Sequence, residues 1–187
     1  GVGMPKGDFS AGTPRMLNNF EVVPLKVAGA GGVNATTAGA VVMNMTIANP
    51  TQVGYLTVFP TGTVRPQVSS INFTQWQDIP NLVTVKLSAG GAIALATAVG
   101  NMDVVVDVVG YYDDGTIAGD YFTGMPPARL LDSRLGNSPW GGTKLTAATP
   151  RTLQVAGSQG IPSGTTAAVM NVTATAATQA SFLTVYP

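Results

Sequence analysis

The 187-residue chain has no cysteine, no histidine and a single glutamate, Glu21, and charged residues make up only 10% of it. Without cysteine there is no disulfide framework, so stability has to come from burial of apolar surface or from assembly. The two absences together exclude Ser/His/Asp and Cys/His catalysis, which need an imidazole or a thiol. Paired-carboxylate chemistry needs two acids facing one cleft, and most of the nine acidic residues stand beside turns. With no tunable acid–base group in view, the chain is expected not to be an enzyme. Nine basic residues balance nine acidic ones without forming a cluster, which argues against nucleic acid and anionic membrane as partners. Long apolar runs are also missing: the longest, Val104 to Val109, is broken by Asp107 and is far too short to span a bilayer. The opening Gly-Val-Gly-Met-Pro-Lys is not a signal peptide, so export would imply a targeting segment already removed.

Hydrophobic residues form 45% of the chain, and 23 glycines and 13 prolines punctuate segments rich in Thr, Val and Ala. That composition suits many short strands joined by tight turns. Period-2 alternation predicts strands at Val41 to Ile47, Tyr55 to Phe59, Ser70 to Phe73, Leu82 to Leu87, Ala92 to Ala96 and Met102 to Tyr112. Ser88-Ala89-Gly90-Gly91 reads as a hairpin turn between two of them. In the last strand Val104, Val106 and Val108 fall on one face, and Asp103, Val105, Asp107, Val109 and Tyr111 on the other. No helical period stands out. The expected fold is all-β, an antiparallel sandwich of jelly-roll type.

The chain also repeats itself. Residues 24–60 and 151–187 align with one single-residue gap, and nearly half the aligned positions are identical. Leu25, Val27, Ala28 and Gly29 correspond to Leu153, Val155, Ala156 and Gly157; Met43, Asn44 and Thr46 to Met170, Asn171 and Thr173; Leu56, Thr57, Val58 and Pro60 to Leu183, Thr184, Val185 and Pro187. After the first copy come the further strands of residues 61–112; the second copy stops at Pro187. The expected organisation is a complete repeat over 1–113, a short linker over 114–124, and the first half of a second repeat over 125–187. Such a half exposes apolar faces and open strand edges, which invite pairing. Either further sequence completes it or another subunit does. In the second case Val169, Asn171, Thr173, Leu183, Val185 and Tyr186 mark the assembly edges, and the tail Gly1 to Asn19 is a candidate donor.

Pro127-Ala128-Arg129-Leu130-Leu131-Asp132-Ser133-Arg134, with Val169-Met170-Asn171-Val172-Thr173, Phe182 to Pro187 and the earlier Asp107-Val108-Val109-Gly110-Tyr111-Tyr112, resembles the "PARLLDTR … LNVT … LTVYP … DVVGYF" repeat β domain of exported actinobacterial-type proteins. The resemblance covers nearly the whole chain. It implies secretion and a cell-surface role, in tandem arrays often found beside modules that degrade peptidoglycan or polysaccharide. The first repeat departs from the pattern: Thr13-Pro14-Arg15-Met16-Leu17-Asn18-Asn19-Phe20 keeps Pro, Arg and Leu but lacks the acid and the second arginine.

Three constellations remain as candidate sites. Asp113, Asp114 and Asp120 could offer loop oxygens to calcium, although an Asp-Asp-Gly sequence is more often simply a turn. On a strand, Asp132 and Arg134 would share a face and form, with Arg129, a structural ion pair to a neighbouring strand, or a site for sugar or carboxylate. Trp76 and Trp140, in loop-like stretches, could stack on sugar rings; Tyr55 and Tyr111 lie in strand patterns where core packing is the default, and Tyr112 and Tyr121 are lesser candidates. The leading expectation is a self-associating structural protein that forms a fibre or sheath by strand addition. The alternative is an accessory module that binds cell-wall polysaccharide.

Overall fold

A computed structural model describes residues 16–116, 118–147 and 149–187. The chain divides between Ala118 and Gly119 into two units.

The first unit is an all-β sandwich of seven antiparallel strands, with no helix among the described residues. The strands are β1 (Val22–Lys26), β2 (Ala38–Ala48), β3 (Gly54–Pro60), β4 (Ile71–Phe73), β5 (Ile79–Lys86), β6 (Ala92–Thr97) and β7 (Asp103–Asp113). One sheet has the order β1-β6-β3-β4 and the other β5-β2-β7. Every connection except β3 to β4 crosses from one sheet to the other, as jelly-roll connections do.

Alternation sets the core. In β2 the side chains of Val41, Met43, Met45 and Ile47 are fully buried, while the residues between them are half-buried on the outer face. Opposite them lie Leu56, Val58, Ile71, Phe73, Ile93 and Leu95. Strands β3 and β6 are buried on both faces, because Phe59, Ala94 and Ala96 form a small second cluster. Buried Thr57 is not orphaned: its hydroxyl donates to the Val68 carbonyl at 2.9 Å.

The sequence expectations need three corrections. β1 lies outside the predicted strands because Pro24 breaks its pattern; at the sheet edge a proline is tolerated, and Pro24 stands opposite Ala94. Ser88 to Gly91 does not close a hairpin. It is an arch, tightened by Gly91 N–H donating to Ser88 O at 2.8 Å, and it sends β5 and β6 into different sheets. Finally, β7 does place Val104, Val106 and Val108 against the core, but a register shift at Val109 alters the face of Tyr111. Tyr111 is thereby paired with buried Val41, yet both it and Tyr55 stay well exposed and neither is a core residue.

The second unit contains no strand among its described residues; it is built of turns and irregular chain. One local feature repeats closely. Gly29 N–H donates to Val33 O at 3.0 Å, Ala30 N–H to Val27 O and Val33 N–H to Ala30 O; in the second unit Gly157 N–H donates to Ile161 O at 2.9 Å, Ser158 N–H to Val155 O and Ile161 N–H to Ser158 O. The backbone signs agree as well, with φ of 85° at Gly29 against 80° at Gly157, and 50° at Asn49 against 51° at the corresponding Ala176. A turn closes on its own few residues, whereas a ladder needs a partner distant in sequence. The repeat therefore recurs in its turns and not in its strands.

Candidate assembly interface

In the first unit β1 pairs only with β6, β2 with β5 and β7, and β3 with β4 and β6. The strands of residues 22–60 never pair with one another. Each takes its partners from residues 71–113. Residues 151–187 repeat the β1–β3 stretch, and the 187 residues contain no second copy of β4 to β7. The two copies also differ in exposure. Met43 is 0% exposed and its counterpart Met170 is 41%; Leu56 is 0% and Leu183 46%; Val58 is 7% and Val185 62%.

The same correspondence sorts the residues expected to form assembly edges. Val169, Asn171 and Thr173 match Val42, Asn44 and Thr46, which lie on the outer face of β2, while Met170 and Val172 match the buried Met43 and Met45. The apolar payload of this segment is thus carried by Met170 and Val172, which the sequence pattern alone left without a phase. Leu183 and Val185 match inward residues of β3, and Tyr186 matches Phe59 on its covered outer face. Of the candidate donor tail, residues 1–15 lie outside the described residues; Leu17 forms an isolated bridge to Met102, with hydrogen bonds of 2.8 and 3.1 Å.

Arg129, Asp132 and Arg134 do come together, but in a turn and not on a strand as expected. The Asp132 carboxylate accepts from Arg134 Nε at 2.8 Å, Arg134 Nη2 at 2.7 Å, the Arg134 backbone N–H at 3.1 Å and Arg129 Nη1 at 3.1 Å. The ion pair is local, so it pins the loop and not a neighbouring strand. The Arg134 hydrogen bonds hold the carboxyl well below the ordinary carboxylate range, and the same pairing raises the Arg134 guanidinium. The Asp132 side chain is only 9% exposed, but both arginines lie open to solvent. Beside the motif lies a shallow cavity of about 520 Å³ lined by Leu130, Leu135 and Gln159 among others.

The three aspartates each accept hydrogen bonds, Asp113 and Asp114 within a turn and Asp120 from a residue distant in sequence. Asp113 accepts from Gly115 N–H at 2.6 Å, Asp114 from the hydroxyl and N–H of Thr116 at 2.6 and 3.0 Å, and Asp120 from the Thr166 hydroxyl at 2.6 Å. The Thr116 hydroxyl bond is the main cause that lowers the Asp114 pKa. No cluster of three acidic, histidine or cysteine residues able to hold a metal occurs among the described residues.

The two tryptophans differ. Trp140 donates its indole N–H to Thr152 O at 3.1 Å and lies under the Arg151 guanidinium at 5.3 Å, so its ring is engaged inside the second unit. Trp76 is 68% exposed and sits in a turn at φ 61°, held by its N–H donating to Pro50 O at 2.8 Å. A bulky residue in the left-handed region is strained, and such strain gathers at functional sites.

No family model, curated protein or solved structure matches this chain. Among the described residues no helix is long and apolar enough to cross a membrane. Residues 151–187 carry the sequence pattern of β1–β3 but form no strand.

Proposed function

We propose that this protein is a non-enzymatic structural protein of the bacterial cell surface whose units join by strand addition between copies, giving a fibre or sheath. The carrying observation is that residues 151–187 repeat the β1–β3 sequence, yet form no strand and leave the counterparts of buried Met43, Leu56 and Val58 exposed. Unpaired backbone and exposed Val, Leu and Phe side chains are costly to leave in water and are met by β-augmentation, in which main-chain bonds supply affinity and alternate side chains supply fit. The low charge is consistent with surfaces meant to be covered. Secretion rests on the resemblance of the Arg129–Arg134 motif and its companions to exported repeat domains.

Light scattering of the 187-residue chain across a concentration series, with negative-stain electron microscopy, tests this. Mass rising with concentration and elongated particles are expected. A monomer at every concentration refutes the reading.

A second reading has its own observation, the exposed and strained Trp76. On that reading the protein is an accessory module for cell-wall polysaccharide, with the indole stacking on a sugar ring. Retention on insoluble peptidoglycan by a monomer, lost in Trp76→Ala, would favour it over assembly.

A further inference from the structure

Trp76 stands where a smaller residue would serve the fold better. It lies in the link from β4 to β5, two edge strands on the flank away from Leu17 and Met102. At φ 61° glycine bears no penalty and asparagine little, and asparagine does fill a similar position at Asn49, φ 50°. The loop is nevertheless firmly held. Trp76 N–H donates to Pro50 O at 2.8 Å, Gln75 Nε2 to Thr51 O at 2.9 Å, the Thr74 hydroxyl to Gln77 Oε1 at 2.7 Å and Asn49 N–H to Asp78 Oδ1 at 2.9 Å. The indole takes no part in this: among the described residues it makes no hydrogen bond and meets no cation. Each side chain that anchors the loop also keeps a second polar group unspent. Gln75 Oε1, Gln77 Nε2 and Asp78 Oδ2 have no protein partner, and all three residues are exposed.

We propose that the 74–78 loop is a binding site for an uncharged glycan, with Trp76 as the stacking platform and Gln75, Gln77 and Asp78 as partners of the ring hydroxyls. The inference rests on the polysaccharide reading and names its ligand class: neutral hexose or N-acetylhexosamine units. A fixed aromatic plane has, within two residues of it, an amide carbonyl, an amide donor and a carboxylate oxygen. A sugar ring lays its C–H face on an indole, and its hydroxyls, each both donor and acceptor, suit those planar groups. Charge narrows the class. Hydrogen bonds join Leu17 to Met102, Asn19 and Thr51 to Asn101, and Trp76 to Pro50, so loops 17–21, 49–53, 74–78 and 98–102 share one end of the sandwich. These loops contain Glu21 and Asp78 and no lysine or arginine. A carboxylated or phosphorylated polymer meets like charge there, with no cation to offset it. A binding role also accounts for the strained backbone, which costs stability in order to present the ring.

Calorimetric titration of the unaltered chain with cellotetraose, chitotetraose and polygalacturonate tests the class. Trp140→Phe leaves Trp76 as the single indole, so its emission reports the place. At least one neutral tetrasaccharide is expected to bind, shifting the Trp76 emission to the blue and shielding it from acrylamide, while polygalacturonate does not bind. Trp76→Ala should weaken binding about tenfold or more, and Trp76→Phe less. Trp76→Gly separates binding from packing, since it should melt higher than the parent chain and yet lose the glycan. A tetrasaccharide bound equally well by Trp76→Ala overturns the site. Polygalacturonate bound as tightly as the neutral oligomers overturns the ligand class and leaves the polysaccharide reading standing, as does Trp76-dependent retention on insoluble peptidoglycan without binding of either tetrasaccharide. If peptidoglycan does not retain the chain and none of the three glycans binds, the polysaccharide reading falls with the inference.

Discussion

Truncating one methionine in each repeat measures whether the second repeat lacks its strand partners. Met43 is fully buried in β2, between β5 and β7. Met43→Ala removes its contacts and leaves a cavity, which in a core typically costs 2–5 kcal/mol; about 3 kcal/mol is the central expectation. For a unit of roughly 100 residues, 1 kcal/mol moves the midpoint by about 4–8 °C, so the thermal transition should fall by about 12–24 °C. Met170 occupies the matching position in the second repeat and is 41% exposed. In dilute protein Met170→Ala should change stability by no more than about 0.5 kcal/mol, as surface substitutions do. At concentrations where copies associate, the asymmetry should vanish: Met170 becomes a core residue, and a loss of about 3 kcal/mol per contact weakens association by about two orders of magnitude. Calorimetry at low concentration and light scattering at high concentration read the two arms. If Met170→Ala lowers the dilute transition as far as Met43→Ala does, residues 151–187 already possess a packed core, and the reasoning from missing partners is refuted.

Other consequences are checked more simply. Gly91 has φ 68°, and a Cβ there would stand 2.4 Å from the Ala28 Cβ, so Gly91→Ala combines left-handed strain with overpacking; a loss of about 2–4 kcal/mol is expected, read as a lower urea midpoint at unchanged m. Trp76→Gly relieves the left-handed strain at φ 61° and should raise the melting temperature slightly, by the equivalent of about 0.5–1 kcal/mol; a fall would mean that the indole contributes packing after all. For Asp132 the folded pKa is lowered, so its ordering effect is full above the ordinary carboxylate range and drains away as pH falls through the folded value. The Arg134 Nε–H resonance should therefore remain dispersed through mildly acidic pH and collapse only in strong acid, whereas Asp132→Asn should lose that dispersion at every pH.

Much of the fold was legible because burial imposes alternation. The six strands predicted from period 2 all exist, with ends shifted by a few residues, since Val41–Ile47 and Val104–Val108 must keep one face apolar to close the sandwich. Topology was not legible. Ser88 to Gly91 has hairpin composition, and nothing local tells a hairpin from an arch; that choice is made by which distant strand, β1 or β2, offers the better partner. β1 was hidden by Pro24, whose missing N–H matters little at an edge. In the candidate interface, the repeat betrayed which segments matter, but the phase of burial in 168–174 became readable only once Met43 and Met45 were seen to point inward. The motif aspartate was recognised as an ion-pair centre, while its placement in a turn depends on its bond to the Arg134 N–H, which a strand reading does not anticipate.

Because residues 22–60 and 151–187 carry the same pattern, the second repeat could in principle displace the first from its own sandwich; the core positions argue that it does not. The fully buried Val41, Met43, Met45 and Ile47 of β2 correspond to Ala168, Met170, Val172 and Ala174. Substituting one strand for the other would shrink three of the four inward side chains, and the Ile47 to Ala174 change alone costs about 2–5 kcal/mol in a rigid core. The first repeat is also joined to residues 71–113 by a shorter stretch of chain than the second, which raises its effective concentration there. Exchange is therefore disfavoured both by volume and by connectivity. The second repeat is left with small inward residues that need large ones opposite.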